Sequence, residues 1–414
     1  MTKTKRVVVT GMGILSPIGL NVTDYWQSLV EGRSGAAPIT KFDPSVFKTQ
    51  FACELKNFKV EDHLTKKEIR QVDPVTQYAL VSVAEALSNA GLTVEELDAE
   101  RTGVIWGTGN GGSLTMDQEL KKLFTSNLEQ KPSPYFVPKV LVNMAAGLIS
   151  MKFGLKGICH TTVSACASSN TALIESANYL RLGKADRMIC GGSEAAITES
   201  LIAGFNSLKA LSTSNETPET ASRPFDKSRN GFVMGEGAGA FVLETYEHAK
   251  ARGATIYAEI TGGGMTADAH HLTATHPEGE GAKRAMREAL REAGIAPEEV
   301  SYINAHATST KVGDLSESKA IADVFGKAPV IGATKSMTGH LLGAAGALEA
   351  AASILALHHD TIPPMVNLEE VDEEIESLIN IAASTATKMD LKHVMSNNFG
   401  FGGHNASILF SKVD

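Results

Sequence analysis

Short apolar runs rich in β-branched residues recur along the chain, and each is followed by a glycine-rich turn and an alanine-rich stretch with helical spacing. This alternation is typical of layered α/β proteins rather than of all-α or all-β folds. We therefore predict an α/β fold with largely buried strands. The predicted strands are residues 6–10, 103–106, 161–165, 187–190, 239–244, 256–261, 301–305, 330–333, 393–396 and 406–410.

The predicted strands fall into two sets of similar size that meet near residue 250. We predict an N-terminal half of residues 1–250 and a C-terminal half of residues 251–414, although no clean internal repeat accompanies this division. Segment 212–229 is rich in Ser, Thr, Pro and Asp. It is predicted to be a long surface connection, and such connections often carry function.

The composition is that of an ordinary globular protein, with 43% hydrophobic and 21% charged residues in a chain of 414. The longest apolar stretch, residues 344–357, is interrupted by Glu349 and is shorter than the ~20 residues of a membrane helix. Residues 1–5 lead directly into the first predicted strand and leave no room for a signal peptide. We expect a cytoplasmic enzyme without a membrane span.

The four cysteines form no CxxC pair and have no zinc-like spacing to histidine, so neither a disulfide framework nor a structural zinc site is indicated. This usage fits a reducing compartment. The net charge of -9 argues against general affinity for nucleic acid. A local basic patch remains compatible with an acidic protein.

Cys166 stands where a short strand passes into a helix predicted over residues 167–182. A thiol at a helix N-terminus meets the positive end of the helix dipole and free backbone N–H groups, which favour the thiolate. The same N–H groups can hold an oxyanion when the sulfur attacks a carbonyl. Free cysteines are also common as small buried apolar residues, so this position alone leaves both interpretations open. The other three cysteines have no such setting.

Two histidines occupy places where α/β enzymes build sites. His306 ends an apolar strand and precedes small hydroxyl residues, and His340 precedes a long apolar helix whose dipole keeps the ring neutral. Two neutral imidazoles directed at one carbonyl oxygen would stabilise an enolate, which forms when a malonyl group loses carbon dioxide. Taken singly, a capping histidine is as good an interpretation of either residue.

Two charged residues lie close to His340 in the sequence. The ammonium of Lys335 would tune the site or attract a carboxylate, whereas a surface lysine is the ordinary alternative. Glu349 lies inside the apolar helix, where an unpaired charge is costly. We therefore expect Glu349 to have a charged or hydrogen-bonding partner.

Glycine-rich segments suggest loops that approach a ligand. Residues 398–405 hold three glycines and two phenylalanines between strand-like runs, and Phe401 is suited to act as a gate, with a tight bulged turn as the alternative. Residues 11–13 and 107–112 resemble fragments of phosphate-binding loops. Neither is a dinucleotide fingerprint, so a nicotinamide-dependent reductase is only weakly supported.

Together these motifs resemble the β-ketoacyl-acyl-carrier-protein synthases, most closely the type II elongating enzymes of bacteria. The resemblance spans essentially the whole chain, and it rests on separated motifs in the right order. These are Cys166, His306, Lys335, His340, the Phe-Gly-Phe-Gly-Gly loop and segments 6–17, 204–212 and 223–239. It implies a thiolase-like fold with two similar halves in αβαβα layers, usually assembled as a homodimer, and no cofactor for catalysis.

By this resemblance Cys166 receives the acyl chain from acyl carrier protein, and the backbone N–H groups of Cys166 and Phe401 form the oxyanion hole. Malonyl carrier protein then enters, and His306 and His340 assist its decarboxylation while Lys335 supports the site. The resulting carbanion attacks the acyl thioester. The product is a β-ketoacyl chain two carbons longer.

The resemblance also implies contacts with the substrate. Thr308 and Thr310 match residues that hydrogen-bond the pantetheine arm, and Phe401 matches the gate over the acyl pocket. Asn110 occupies a place that is often apolar in the acyl pocket, so the chain-length preference does not follow.

Two larger residue sets carry weaker resemblances. The basic patch that receives the acidic carrier protein is matched by Lys66, Lys67, Arg70 and Lys209. A structural monovalent or divalent cation site seen in some members is matched by Asn304, Glu349, Ser396 and Asn397. As a bare charge cluster, Lys66 and Lys67 would more often be a solvated helix face.

Departures from the family pattern cluster after His306. Ala307 stands where glycine is usual, and Lys311 stands where proline is commoner. The methyl group of Ala307 is expected to narrow the pantetheine channel or to shift its loop.

Two other proteins of the same fold are alternatives. A thiolase normally uses a second cysteine as base, and the C-terminal half of this chain has no cysteine. A non-catalytic partner subunit of the chain-length-factor kind typically lacks the nucleophile, whereas this chain keeps Cys166 and both histidines. A condensing enzyme is therefore the favoured hypothesis.

Overall fold

The structure, a computed structural model, describes residues 5–413. The predicted absence of a signal peptide concerns residues 1–5, of which the first four lie outside the described residues. The strands in this range are β1 Val7–Leu15, β2 Ala37–Pro38, β3 Phe51–Ala52, β4 Thr102–Gly107, β5 Cys159–Thr162, β6 Arg187–Glu194, β7 Gly237–Thr245, β8 Ala258–Ala267, β9 Tyr302–Asn304, β10 Val330–Gly332, β11 Thr361–Ile362, β12 Asn380–Ile381, β13 Thr387–Lys388, β14 His393–Gly400 and β15 His404–Ser411.

Several of the α-helices pack against strands of the sheet. In chain order they are α1 Val22–Val30, α2 Lys66–Gln71, α3 Pro74–Asn89, α4 Ser113–Thr125, α5 Phe136–Val140, α6 Met144–Phe153, α7 Ser168–Arg181, α8 Glu199–Ser207, α9 Tyr246–Ala251, α10 Glu280–Ala293, α11 Lys311–Phe325, α12 Lys335–Thr338, α13 Ala345–His359 and α14 Glu373–Glu376. No helix in residues 5–413 combines the length and the apolar character that crossing a bilayer requires.

One mixed sheet of eleven strands runs through the molecule in the order β12-β10-β9-β14-β15-β8-β1-β7-β6-β4-β5. Five strands on one side, β1-β7-β6-β4-β5, repeat the arrangement of β8-β15-β14-β9-β10 on the other. In each group the first two pairs are antiparallel and the last two are parallel. The groups meet where Val8 of β1 pairs with Glu259 of β8. The division at residue 250 stays a prediction.

The helices form the layers above, between and below the two strand groups. Helices α7 and α13 contact each other and strands of both groups, so they make the central layer. Helix α3 covers the outer face of β1, β7 and β6, and α10 covers the outer face of β8 and β15. The order of layers is the predicted αβαβα.

Paired glycines let the outer helices approach the sheet closely in both halves. A Cβ atom at Gly11 would lie 2.3 Å from the backbone oxygen of Ala86 in α3, and Gly13 is equally tight. Gly262 and Gly264 of β8 meet the backbone of α10 in the same way. The segment 11–13 therefore lies inside a strand and packs a helix, rather than forming the phosphate-binding loop that it resembles.

The predicted strands are all present, with different ends. The third one ends at Thr162 instead of residue 165. The reason is Ala165, whose φ of 51° is left-handed and incompatible with a strand. Many of the other strands are longer than predicted, because their glycines and small residues are accommodated within the buried sheet.

Segment 212–229 is only partly a surface connection, so that prediction was wrong for its second part. Phe225, Asp226 and Arg229 are almost completely buried. The guanidinium group of Arg229 donates hydrogen bonds to the backbone oxygen of Thr310 at 3.1 Å and to the carboxylate of Asp372 at 2.7 Å. These hydrogen bonds hold the segment against residues of the C-terminal half.

Candidate active site

Cys166 lies in a one-turn 3-10 helix, Ala165–Ala167, between β5 and α7. The turn begins with the left-handed Ala165, which reverses the chain between strand and helix. Gly400, at the end of β14, packs directly against it. A Cβ atom at Gly400 would lie 2.7 Å from the backbone oxygen of Ser164 and 3.0 Å from the backbone nitrogen of Cys166. The first glycine of the phenylalanine-containing loop is thus required by the nucleophile turn.

His306 follows β9, and its backbone N–H donates to the carboxylate of Glu317 at 2.9 Å. His340 lies between α12 and a 3-10 turn, Leu342–Ala344, rather than directly at the start of the long helix α13. Its ring nitrogen Nε2 is 3.0 Å from Sγ of Cys166. The two imidazole rings are nearly perpendicular, with centroids 5.2 Å apart. The sulfur and one nitrogen of each ring lie within 4.8 Å of one another.

Burial governs the protonation of these three groups. It raises the pKa of Cys166 to about 12, while the ammonium of Lys335 and the backbone N–H of Phe401 act in the opposite direction. It also lowers the pKa of His306 and of His340 well below the usual value, and Lys335 lowers both further. The resting site holds a thiol and two neutral imidazoles. Burial thus opposes the thiolate that a position at a helix N-terminus is expected to favour.

Lys335 and Glu349 form a buried ion pair beside the histidines, with exposed fractions of 1% and 2%. The second carboxylate oxygen of Glu349 accepts a hydrogen bond from Asn398 at 2.8 Å. Burial raises the pKa of Glu349, and Lys335 opposes that rise. The partner that the sequence required for Glu349 is therefore Lys335, and the lysine is a core residue rather than a surface one.

A cavity of about 610 Å³ reaches Cys166, His306 and His340, a volume within the usual range of small-molecule sites. The residues predicted to contact substrate all line it, namely Asn110, Thr308, Thr310 and Phe401. Its apolar wall is formed by Phe205, Leu208, Ala210, Phe232, Leu342 and Phe399. The cavity therefore combines one reactive end, two hydroxyls and an apolar surface.

Ala307 and Lys311, the two residues that depart from the family pattern, lie in different surroundings. Ala307 is buried, donates its backbone N–H to Glu317 at 2.7 Å, and is absent from the lining of the large cavity. Lys311 lines the cavity at the first residue of α11, and its ammonium donates to the backbone oxygen of Lys227 at 2.8 Å.

Two buried carboxylates that shape the loops around the site were not predicted from the sequence. Glu317 holds the backbone after β9. Glu194 accepts backbone N–H bonds from Gly109, Asn110 and Gly343 at 2.8, 3.1 and 2.9 Å. The glycine segment 107–112 thus wraps a carboxylate of the chain itself instead of a phosphate. A Glu at the end of a buried strand and a Glu within a helix are too common to indicate this role.

The predicted carrier-protein residues lie in two places. Lys209 lines the large cavity. Lys66, Lys67 and Arg70 are exposed on α2 and take no part in the lining. The guanidinium group of Arg70 lies over the ring of Tyr135, 5.8 Å from its centroid.

The four side chains predicted to hold a cation fit such an ion only in part. Asn304 and Ser396 are paired on neighbouring strands, and Asn304 donates to the backbone oxygen of Glu349 at 3.3 Å. The side chain of Asn397 instead bonds Glu317 at 3.4 Å, since alternate residues of a strand face opposite sides. The carboxylate of Glu349 is already paired with an ammonium. The cation stays a prediction, and no catalytic step is derived from it.

Comparison with known proteins agrees with this geometry. The family described as "Beta-ketoacyl synthase, N-terminal domain" matches residues 4–249, and "Beta-ketoacyl synthase, C-terminal domain" matches residues 257–369. The 3-oxoacyl-[acyl-carrier-protein] synthase 2 of Staphylococcus aureus (strain COL) is 47% identical over 417 residues, covering 100% of both chains. The enzyme of that name from Coxiella burnetii is 47% identical over 412 residues, covering 99% of each.

Solved structures with the same fold cover essentially the whole chain. The ishigamide ketosynthase/chain length factor has a TM-score of 0.94 at 35% identity and covers 100% of both chains. A beta-ketoacyl synthase from Burkholderia phymatum STM815 has a TM-score of 0.93 at 36% identity and covers 99% of this chain and 100% of its own. These matches confirm the predicted thiolase-like fold. With two family domains and full-length relatives at 47% identity, this chain belongs to the β-ketoacyl synthase family.

Proposed function

We propose that Cys166, His306 and His340 carry out in this chain the reaction of its family, the decarboxylating condensation of an acyl chain with malonyl-acyl-carrier-protein in fatty-acid elongation. The observation that carries these roles is the convergence of one thiol and two neutral imidazoles within 4.8 Å at a cavity of about 610 Å³. The reaction uses only groups of the chain and the two thioesters, so it needs no cofactor.

The first half-reaction transfers the acyl group to the enzyme. The sulfur of Cys166 attacks the carbonyl carbon of the acyl thioester, and its proton passes to Nε2 of His340, 3.0 Å away. The bond to the carrier sulfur breaks, and the departing thiolate takes the proton from His340. The products are an acyl group on Cys166 and a free carrier thiol, and the imidazole is neutral again.

The second half-reaction forms the carbon–carbon bond. Nδ1 of His340 has no partner in residues 5–413, so the ring can change tautomer between the half-reactions and bring its proton to Nε2. The thioester oxygen of the malonyl group then accepts hydrogen bonds from the Nε2–H groups of His306 and His340, carbon dioxide leaves, and the freed electron pair forms an enolate. The enolate carbon attacks the acyl carbonyl, whose oxygen is held by the backbone N–H groups of Cys166 and Phe401. The bond to Cys166 breaks, its sulfur takes up a proton from water, and a β-ketoacyl thioester two carbons longer departs.

The acyl chain and the pantetheine arm are assigned to different walls of the cavity. The hydroxyls of Thr308 and Thr310 lie 3.1 Å apart at the start of α11, where they can bond the amides of the arm. The phenyl group of Phe401 is proposed to gate the pocket in which Asn110 stands. The exposed Lys66, Lys67 and Arg70, together with Lys209 at the cavity, are proposed to attract the acidic carrier protein.

A homodimer in the cytoplasm completes the proposal. Strand β5 is the last strand of the sheet, so one of its edges has no paired strand. Eight of the sixteen exposed large apolar side chains in residues 5–413 fall between residues 116 and 163, near this edge in the sequence. Light scattering is expected to give a molar mass twice the 43.8 kDa of one chain. A mass of one chain at micromolar concentration would argue against this assembly.

The reaction is tested by intact-mass measurement of the purified protein after incubation with medium-chain acyl carrier protein, before and after malonyl carrier protein is added. The expected result is a gain of one acyl group, mapped to Cys166. The malonyl donor then discharges it as a β-keto product two carbons longer. Cys166→Ala is expected to gain no acyl group.

Cys159→Ala is the matched control, because Cys159 is the exposed free cysteine and the one most open to nonspecific acylation. This variant is expected to acylate normally. Normal condensation by folded Cys166→Ala, or an adduct that maps to another residue, would overturn the proposed roles.

A further inference from the structure

The two catalytic imidazoles differ in what their second ring nitrogen, Nδ1, contacts. Nδ1 of His306 lies 3.3 Å from the amide nitrogen of Asn398. Nδ1 of His340 is buried and has no hydrogen-bond partner among residues 5–413. In a neutral imidazole, the partner of one nitrogen decides which nitrogen carries the proton. The two rings are therefore under different control.

The orientation of the Asn398 amide follows from its second contact. The same nitrogen donates to Oε2 of Glu349 at 2.8 Å, and Oε1 of that carboxylate is paired with the ammonium of Lys335. A carboxylate held by an ammonium only accepts hydrogen bonds. The amide must therefore present its NH2 group, not its oxygen, to Glu349. The second hydrogen of that group is left for Nδ1 of His306.

All four residues in this series of contacts are buried, and burial makes the placement of the proton specific. The exposed fractions are 1% for Lys335, 2% for Glu349, 0% for Asn398 and 8% for His306. Without competing water, each hydrogen bond strengthens the next and an incorrectly placed proton is costly. Strand alternation confines the role to Asn398, since the neighbouring Asn397 bonds Glu317 on the other face of β14.

We propose that Asn398 is a positioning residue for the condensation, which holds His306 in the tautomer with its proton on Nε2. His306 is then a fixed donor to the enolate oxygen. His340, whose Nδ1 is unconstrained, remains able to exchange a proton with Cys166. This inference rests on the proposed function, and it assigns a different role to each of the two histidines.

The tautomer is measured directly with ¹⁵N-labelled histidine and long-range ¹H–¹⁵N correlation spectra near neutral pH. The signals of His306 are identified by their loss in His306→Ala. Wild-type protein is expected to show a protonated Nε2 and an unprotonated Nδ1. In Asn398→Asp the new carboxylate lies against Oε2 of Glu349, which takes up a proton, and it accepts a hydrogen bond from Nδ1–H of His306, so the pattern is expected to reverse.

Kinetic measurements distinguish a role of Asn398 in positioning His306 from a role in packing alone. Asn398→Asp is expected to lower condensation about 100-fold, within the usual range for a misplaced proton donor, while acylation of Cys166 changes less than about twofold. Asn398→Ala leaves both tautomers accessible, so its loss is expected to be smaller, about tenfold. A role in packing alone predicts the opposite order, because Asp keeps the shape of Asn and Ala leaves a cavity.

Thermal melts of both variants accompany the kinetics, and Asn398→Ala carries the test if Asn398→Asp does not fold. A wild-type His306 with its proton on Nδ1, or unchanged condensation in the folded variants, would overturn the role of Asn398. Either result leaves the proposed function intact as long as wild-type protein acylates and condenses. Loss of condensation in the wild type would instead overturn the proposed function itself.

Discussion

The two halves of the molecule contain equivalent 3-10 turns that carry different residues. In the first half, two residues lead from β5 to the 3-10 turn Ala165–Ala167. In the second half, nine residues, 333–341, lead from β10 to the corresponding turn Leu342–Ala344. Each turn begins with a left-handed residue, with φ of 51° at Ala165 and 49° at Leu342. The scaffold is repeated, and the longer connection is the main local difference.

In the proposed mechanism, that difference separates the residue that carries the acyl group from the residues that transfer protons. The second residue of the first turn is Cys166, and the second residue of the other turn is Gly343. The longer connection carries Lys335 and His340 instead. A Cβ atom at Gly343 would lie 2.2 Å from the backbone nitrogen of Gly109, so this turn gives up a side chain and lets the loop after β4 close on it. Within the same framework, the two turns thus differ by one insertion, the longer connection of residues 333–341, and by one glycine.

The largest expected effect comes from removing the imidazole that the insertion carries. His340→Ala is expected to lower condensation about 1,000-fold, because an acid–base group and an enolate donor are both lost. Acylation should also slow, since Cys166 loses its proton acceptor. His306→Ala is expected to spare acylation and to lower condensation alone. Single-turnover mass spectrometry measures both steps, and equal effects of the two substitutions on acylation would remove the distinction between the rings.

The next largest effect is on the free energy of unfolding, and it comes from Lys335 in the longer connection. Lys335→Met leaves the buried Glu349 without a counter-charge and is expected to cost about 3–5 kcal/mol in the free energy of unfolding. The double variant Lys335→Met/Glu349→Leu is expected to regain much of that loss, because no isolated charge remains. Urea unfolding measures both. A double variant as unstable as the single one would show that the lysine acts through packing.

A smaller effect compares the two turns at equivalent positions. Gly343→Ala forces a methyl group against backbone and is expected to cost about 1–3 kcal/mol of stability. Cys166→Ala abolishes acylation yet is expected to change stability by less than about 1 kcal/mol, since only the sulfur is removed. Equal loss of stability in the two variants, seen in the same unfolding experiment, would contradict the assignment of equivalent but differently packed turns.

The smallest effect, taken per pH unit, is a pH dependence that both halves should share. Burial raises the pKa of Glu194 and of Glu317 to about 7, although backbone N–H bonds oppose the rise. Each carboxyl therefore binds its proton more tightly in the folded chain. Its contribution to stability is fully present below the unfolded pKa of about 4.3 and is lost as the pH rises through about 7.

Glu194→Gln and Glu317→Gln should each remove this slope, which reaches at most about 1.4 kcal/mol per pH unit for one carboxyl. Denaturation curves from pH 4.5 to 7.5 check the expectation. A wild-type stability that rises relative to both variants across this window would show that the carboxylates are stabilised as anions.

The sequence predicted much of the fold because the strands of an α/β core are apolar runs separated by glycine turns. It also predicted the three groups that meet in the site, since Cys166 and His306 each stand at the end of such a run and His340 precedes a long apolar helix. The resting protonation of Cys166 was not predictable, because it depends on burial by chain segments far apart in sequence. Neither was the core position of segment 222–229, which follows from the distant partners of Arg229.

Polar positions inside the core were the least predictable. The sequence predicted that Glu349 has a partner. It did not identify Lys335 as that partner, because the position of Lys335 depends on a short helix that has no clear sequence signature. Adjacent asparagines gave no sign that Asn397 and Asn398 face different layers. Strand register decides such questions, and register is set by the whole sheet.

The protonated state of Cys166 has a consequence outside turnover. Peroxides and alkylating agents attack thiolates far faster than thiols. Burial raises the pKa of Cys166 to about 12, so the idle enzyme offers them very little thiolate. In the proposed mechanism, the sulfur becomes nucleophilic as an acyl group arrives and His340 takes the proton. The enzyme should therefore tolerate oxidative stress better when idle than an exposed, ionised cysteine would allow.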